Sequence, residues 1–434
     1  MTKKFWKFVD EKGYSPGIKY NRIKYIPGET IEVKDTDPDE TIQCSSGIHC
    51  LDFSDEQYNP DNIVFGLKVA ILEVDEEDII YYEKNGKCRV KKAKVLEVKE
   101  PEIWMITGNG HPLWALRLAC KCGHNPDIMQ LMIDSEDPEY AYDYAFNVLK
   151  GHDEKLMQVI IDSQNPRDAY YYAKDILKGH DEKLMQVIID SKDAMYAYSY
   201  ASWVNGKGHD ERLMQVIIDS QDPLYAYYYA HDVLKGHDER LMQVIIDAPD
   251  AFYAYYYARY VLKGHDEKLM QVIIDSKNEY CTYDYALFVL KRHDDKLMQI
   301  IKSASYAYHY AFNVLKGHDE ELMEVIIDAQ DSEYAYHYAS DVLKRHDEKL
   351  MEVIIKHPDV KYAYWYAFDV LKGHDEKLMQ VIIDSGNAGC AYYYAKNIIK
   401  GHDERLMEIV MNSDNYFYKD LYEKNVLNKR SIND

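Results

Sequence analysis

The chain has 434 residues and a net charge of −23 spread along its length, and no run approaches the ~18 consecutive apolar residues that read as a membrane span. Acidity of this degree argues against binding a phosphate backbone, for which a basic stripe would be needed, so no direct nucleic-acid binding is expected. Seven cysteines, an odd number without framework spacing, fit a reducing compartment, and the opening MTKKFWKFVDEKGYSP lacks the apolar core of a signal peptide. A cytoplasmic protein is the expectation.

Residues 1–101 read as a small β-rich or α+β domain. Strand-like runs occupy Phe5–Val9, Ile18–Ile26, Thr30–Val33, Ile63–Val74 and Cys88–Val98, and Asn85-Gly86 signals a hairpin. Lys and Arg number 16 against 20 Asp and Glu over residues 1–100, so the excess acid lies mainly in residues 101–434. The run Cys44-Ser45-Ser46-Gly47-Ile48-His49-Cys50 could begin a zinc site, but its spacing is not that of a finger and no fourth ligand stands near. Cys120, Cys122 and His124 are a weaker group of the same kind. Buried thiols beside a structural His are expected instead, and no cofactor.

From residue 102 a repeat takes over. His-Asp recurs at His152, His180, His209, His237, His265, His293, His318, His346, His374 and His402, mostly 28 residues apart, with a degenerate copy at Gly123-His124-Asn125-Pro126. Fixed spacing on this scale means stacked units. The expected fold is mainly α: a solenoid of about eleven helix-turn-helix repeats of 28 residues. Residues 102–137 form a divergent capping repeat, 138–413 the solenoid and 414–434 a C-terminal capping helix.

One unit reads DPEYAYDYAFNVLKGHDEKLMQVIIDS. Asp137 is a good N-cap with Pro138 at the first helical position; helix A runs to about Lys150. Gly151 suits the left-handed position beyond a helix end. Asp153 caps helix B, which runs to about Asp162. At 100° per residue, Ala141, Ala145, Val148 and Leu149 share a stripe flanked by Tyr142 and Tyr144, while Leu156, Met157, Val159, Ile160 and Ile161 make helix B the more buried partner. The last unit carries Lys419 and Asp420 where interior copies carry packing residues, as a wet end requires. Two copies depart in length. One has an extra residue in Val204-Asn205-Gly206-Lys207; the copy before His318 is three residues short, which predicts a local bend near 300–306.

Repeats allow positions to be compared within one chain. Residues identical in every copy serve the copy. The Tyr142 and Tyr144 columns and the His152-Asp153 pair are such residues and imply inter-repeat packing, with the His bonding backbone of neighbouring turns. The wealth of tyrosine, 42 against 10 phenylalanines, suggests hydroxyls that meet partner groups. Two helix A columns vary. The residue between the tyrosines is Asp143, Tyr171, Ser199, Tyr228, Tyr256, Asp284, His309, His337, Trp365 or Tyr393. The residue three further on is Phe146, Lys174, Ser202, His231, Arg259, Leu287, Phe312, Ser340, Phe368 or Lys396. Aromatic and Arg residues on an outer face are what interfaces enrich. His309, Phe312, His337, Trp365, Phe368 and Tyr393 are therefore the candidate partner-binding residues; a second copy of the chain or residues 1–101 could also cover these rings.

In pattern, Tyr140–Gly151 and Tyr334–Lys344 resemble tandem helical repeats of tailed-bacteriophage proteins. Cys44, Gly47-Ile48-His49 and the Lys87–Val98 strand resemble a small uncharacterised domain also frequent in phage proteins. Neither family implies an activity; the resemblance implies a viral context and a host cytoplasm. Gly47–Asp52 followed by two strands is also similar in layout to the core of ADP-ribosyltransferases, but Lys7 and His49 stand in the rough places of that family's His, Tyr and Glu. No nucleophile–base pair, phosphate loop or carboxylate cluster supports an enzyme. The leading expectation is a non-enzymatic solenoid adaptor or inhibitor that grips a protein through the variable face of helix A, a host protein if the viral context holds. The alternatives are an acidic nucleic-acid mimic that sequesters a nucleic-acid-binding protein and an enzyme seated in residues 1–101.

Overall fold

The structure, a computed structural model, describes residues 1–15, 22–36, 46–52, 68–82, 87–102, 105, 112–204, 208–356 and 359–427. They fall into two units, Met1–Ser220 and Gln221–Asp434.

The first unit begins with an antiparallel sheet. Its strands are β1 (Thr2–Val9), β2 (Thr30–Glu32), β3 (Ile48–Asp52), β4 (Lys68–Asp75), β5 (Ile79–Tyr82), β6 (Lys87–Val90) and β7 (Lys92–Lys99), in the order β2-β7-β4-β1-β3-β6-β5. Alternation sorts the side chains. Phe5 and Val9 join Cys50, Leu72, Cys88, Val90 and Val95 on one face, and Trp6 and Phe8 join Leu51, Val69 and Ile71 on the other. Both faces are apolar, so the strands read as near-continuous hydrophobic runs. The expected strand at Cys88–Val98 is two strands that part at Lys91, whose amide bonds Asp78 instead of continuing the ladder. β3 spans the Ile48-His49-Cys50 part of the Cys/His motif, which was not expected as a strand. Cys44 and Asn85-Gly86 lie outside the described residues.

The remainder is an α-helical solenoid of paired helices about 28 residues apart. Helix A is Pro138–Asp143 in α form and Tyr144–Leu149 in wider π form; helix B is Glu154–Asp162. Asp137 accepts from the Glu139 amide and Asp153 from those of Lys155 and Leu156, which satisfies the donors that a helix start leaves open. The π half repeats in every described copy but the first, whose helix A, Pro112–Cys122, is α throughout. It makes the 100° step fail after Tyr144: Tyr144 and Ala145 are fully buried, while Val148 and Leu149 are only half-buried. Tyr144 therefore belongs to the core rather than to its flank.

The helix ends differently from expectation too. Lys150, not Gly151, is left-handed, at φ 54°, and the amides of Lys150 and Gly151 both reach the Ala145 carbonyl. The wide last turn closes one residue early, so the left-handed position moves back by one. The left-handed lysine recurs from Lys178 to Lys400, and it persists at Lys291 and Lys344, where Arg292 and Arg345 replace the glycine.

In the second unit, the short copy loses the end of helix B. That helix stops at Met298 after four residues, and Ile301 closes the turn by bonding Met298. Ser303 then starts the next helix A, and the Glu279 carboxylate accepts from both its amide and its hydroxyl, at 3.1 and 2.6 Å. Among the described residues, no helix is long and apolar enough to cross a membrane.

Candidate interaction face on helix A

The constant residues form a joint between repeats. The buried Tyr172 hydroxyl donates to the Asp153 carbonyl at 3.0 Å and accepts from the Asp153 amide at 3.2 Å. His152 Nδ1 lies 3.3 Å from the same oxygen, and its Nε2 lies 3.2 Å from Glu154. A phenol has one proton and two lone pairs, so with Nδ1 protonated this oxygen is fully used. The His thus meets a tyrosine hydroxyl and its own helix rather than neighbouring backbone; it is the tyrosine that reaches the backbone. The arrangement recurs at Tyr200 on Asp181, Tyr257 on Asp238, Tyr338 on Asp319 and Tyr366 on Asp347. Burial pushes these phenols up to about 12, against the pull of the neighbouring backbone amide. Even the degenerate copy follows, with Tyr144 on Asn125 and His124. At the short copy Tyr310 still bonds Asp294, but His293 Nδ1 is buried without a hydrogen-bond partner.

The inner tyrosines make a second joint. Tyr142 donates to Asp175 of the next repeat at 3.1 Å, Tyr308 to Asp341 at 2.9 Å and Tyr336 to Asp369 at 2.8 Å. Where that column holds Asn the direction reverses, and Asn397 donates to Tyr364 and Asn425 to Tyr392. In three copies the column holds an aromatic ring instead: Trp203, Tyr260 and Phe288, of which Trp203 is 68% exposed. Sequence reasoning overlooked this position, though a column of Asn and Asp interrupted by rings is a visible signal. Arg259 packs its guanidinium 4.0 Å from the Phe288 ring centre and also bonds Tyr255.

The six candidate residues divide into two classes. His309, His337, Trp365 and Tyr393 each lean on the inner tyrosine of the preceding repeat. Centroid distances are 6.2 Å for His309 to Tyr283, 5.6 Å for His337 to Tyr308, 5.8 Å for Trp365 to Tyr336 and 6.2 Å for Tyr393 to Tyr364. These tilted contacts cover part of each ring, though Trp365 and Tyr393 stay exposed, and the column's Asp284 is buried outright. Burial, with His337 nearby, lowers the His309 imidazole below its ordinary value. Phe312 and Phe368 instead stack flat on the tyrosine of their own helix, Tyr308 and Tyr364, and keep nearly half their surface open. Trp365 and Phe368 thus turn to different neighbours, Trp365 back to Tyr336 and Phe368 to Tyr364. Phe368 edges a hollow of about 310 Å³ that Lys396, Asn397 and Lys400 also line.

Comparison with protein-family models, with curated proteins and with solved structures gave no match. The chemistry of the site itself carries the functional reading. Among the described residues, no three His, Cys, Asp or Glu side chains gather as metal ligands. Cys50 and His49 are successive strand residues on opposite faces, and Cys50 lies against Cys88, both as free thiols. Burial raises the Cys50 thiol strongly. Cys120 is a free, exposed thiol, and His124 is engaged by Tyr144.

In several copies the acidic residue at the start of helix B is paired with a cation of the next copy. Glu182 meets Arg212, Glu239 meets Lys268 at 3.7 Å, Glu348 meets Lys377 at 3.2 Å and Glu376 meets Arg405. Such exposed pairs add little stability. They do break up what would otherwise be a line of bare carboxylates.

Proposed function

We propose that the chain is a protein-interaction scaffold whose partner docks on the variable columns of helix A, centred on Trp365, Phe368, His337, Tyr393, His309 and Phe312. The observation that carries this is the division of labour along one helix. The tyrosines on either side are used up in joints between copies, whereas Phe312 and Phe368 stack only on their own helix and expose 46% and 45% of their surface, and Trp365, which leans on Tyr336, still exposes 38%. Exposed rings on a rigid, tyrosine-backed surface supply contact area at little entropic cost. The hollow beside Phe368, with Lys396 and Lys400 at its rim, fits a partner segment that is apolar with an acidic flank. The finer reading, a phage-encoded cytoplasmic adaptor or inhibitor acting on a host protein, rests on the Tyr-Ala-Tyr repeat pattern alone.

A polyanion mimic requires a continuous acidic groove, and the paired glutamates of helix B count against one. The test is a photo-crosslinking residue placed in the full chain at Phe368, and separately at Lys183 on helix B. The proposal expects a discrete crosslinked protein from the first position only. Equal crosslinking from both would overturn it.

A further inference from the structure

We propose that the gap left by the short repeat is a second docking site, one that takes an amphipathic helix with Lys or Arg flanking its apolar face. In other copies helix B runs nine or ten residues and lies along helix B of the next repeat. Here it ends at Met298, and the helix B of the next copy, Glu320–Ala329, faces a groove of about 360 Å³. Met298, Ile301, Leu322 and Val325 form its apolar floor. Val325 is half-buried where Val159, Val187 and Val244 are buried. The volume lies within the ~300–1,000 Å³ range of ligand clefts and far above that of a single water. It lies where other copies carry the later turns of helix B, which favours a helix as occupant.

Charge selects the kind of helix. Every other His-Asp copy has Lys or Arg at the second residue of helix B, from Lys155 to Arg405; only this copy has an acid, Glu321. Six residues column-matched to Glu324, from Gln158 to Gln271 and at Gln380, are glutamines, and they hold the Asp four residues on, as Gln158 holds Asp162 at 2.7 Å. Glu324 cannot do this for Asp328, because a carboxylate has no proton to give. In the next repeat the same change, Glu352, is compensated by Lys356 at 3.4 Å. Here Glu324 and Glu320 share Lys349, which leaves Glu321 and Asp328 without an ion pair among the described residues, and the groove is lined by four carboxylates against the one cation of Lys302. The copy that lost its helical turns is also bordered by the copy whose rim turned acidic, and a cationic, apolar helix answers both changes.

The test titrates a labelled amphipathic helix of Leu and Lys, and its Leu/Glu counterpart, into the full chain and follows anisotropy. Glu321→Lys with Glu324→Gln restores residues that other copies carry, so folding is not at stake. Inserting Ile-Asp-Ser after Ile301 restores the repeat length. The expected result is that the Leu/Lys helix binds the native chain, that the double substitution weakens it about tenfold or more, the loss of about 1.4 kcal/mol, and that the insertion abolishes binding. Trp365→Ala with Phe368→Ala should leave it unchanged, which separates this site from the helix A face. No binding of the Leu/Lys helix, equal binding of the Leu/Glu helix, or equal affinity in the restored variants would overturn the proposal.

Discussion

The hydroxyl of Tyr257 holds both backbone groups of Asp238, the residue that caps helix B of the preceding repeat: it donates to the carbonyl at 3.0 Å and accepts from the amide at 3.2 Å. A side chain of one copy thereby completes the backbone of another. This explains why the column is Tyr and never Phe, and it ties the start of each helix B to the next helix A.

Tyr257→Phe keeps the ring and removes that joint. It strands the half-buried Asp238 amide, while the carbonyl keeps the Met242 amide, and an unsatisfied group of this kind costs on the order of 1–3 kcal/mol. Urea unfolding followed by circular dichroism should show a lowered midpoint, and hydrogen exchange should quicken at Asp238. An unchanged midpoint with unchanged exchange would mean that water replaces the hydroxyl without loss.

Lys263→Gly should stabilise the chain by about 0.5–1 kcal/mol, because Lys263 sits at φ 56° and a glycine there relieves left-handed strain. Gly264→Ala should be close to neutral, since an added Cβ would meet only the Leu262 carbonyl at 3.9 Å. Thermal melts of the two variants distinguish this geometry from a glycine-capped helix end, for which the effects would be reversed.

Stability should fall as pH rises from about 10 to about 12. The phenols of Tyr172, Tyr200, Tyr257 and Tyr366 are raised from 10.0 to about 12 by burial. Below pH 10 both folded and unfolded chains keep these protons and the contribution is whole. Above it the unfolded chain gives them up first, so unfolding gains with each step until the folded pKa is passed. Phenolate absorbance and helical circular dichroism recorded together should change in concert for these residues. Full ionisation before any loss of helix would contradict the buried joint.

The repeat, the helix starts and both N-caps were legible because period, Asp-Pro and His-Asp are local signals. The left-handed Lys150 was not, because glycine draws that assignment and the π turn that shifts it leaves no mark in hydrophobic pattern. Yet Arg292 and Arg345 in the glycine column were a clue. The same π turn hid the burial of Tyr144. Of the candidate face, the open Phe312 and Phe368 follow from their column, whereas the half-covered state of Trp365 and His337 depends on the inner tyrosine of the preceding copy, which a single helical wheel does not contain. In the sheet, β3 and β5 are too short for alternation to stand out.

The restored-length variant bears on stability as well as on docking. Inserting Ile-Asp-Ser after Ile301 should bring the Ser303 region to the form of other copies and give His293 the hydroxyl contact that His265 has with Tyr285 at 3.0 Å. A raised melting temperature is expected. A lowered one would show that Glu279 and Ser303 make the short form the better packed.

Recognition through helix A is decided by comparing the full native chain with Trp365→Ala/Phe368→Ala and with Tyr366→Phe, each immobilised and exposed to extract of the cells that produce it. The double variant should melt close to the native chain and lose a specific bound protein, while Tyr366→Phe should melt lower and keep it. Retention of that protein by the double variant at native affinity would contradict the assignment of recognition to the variable face of helix A.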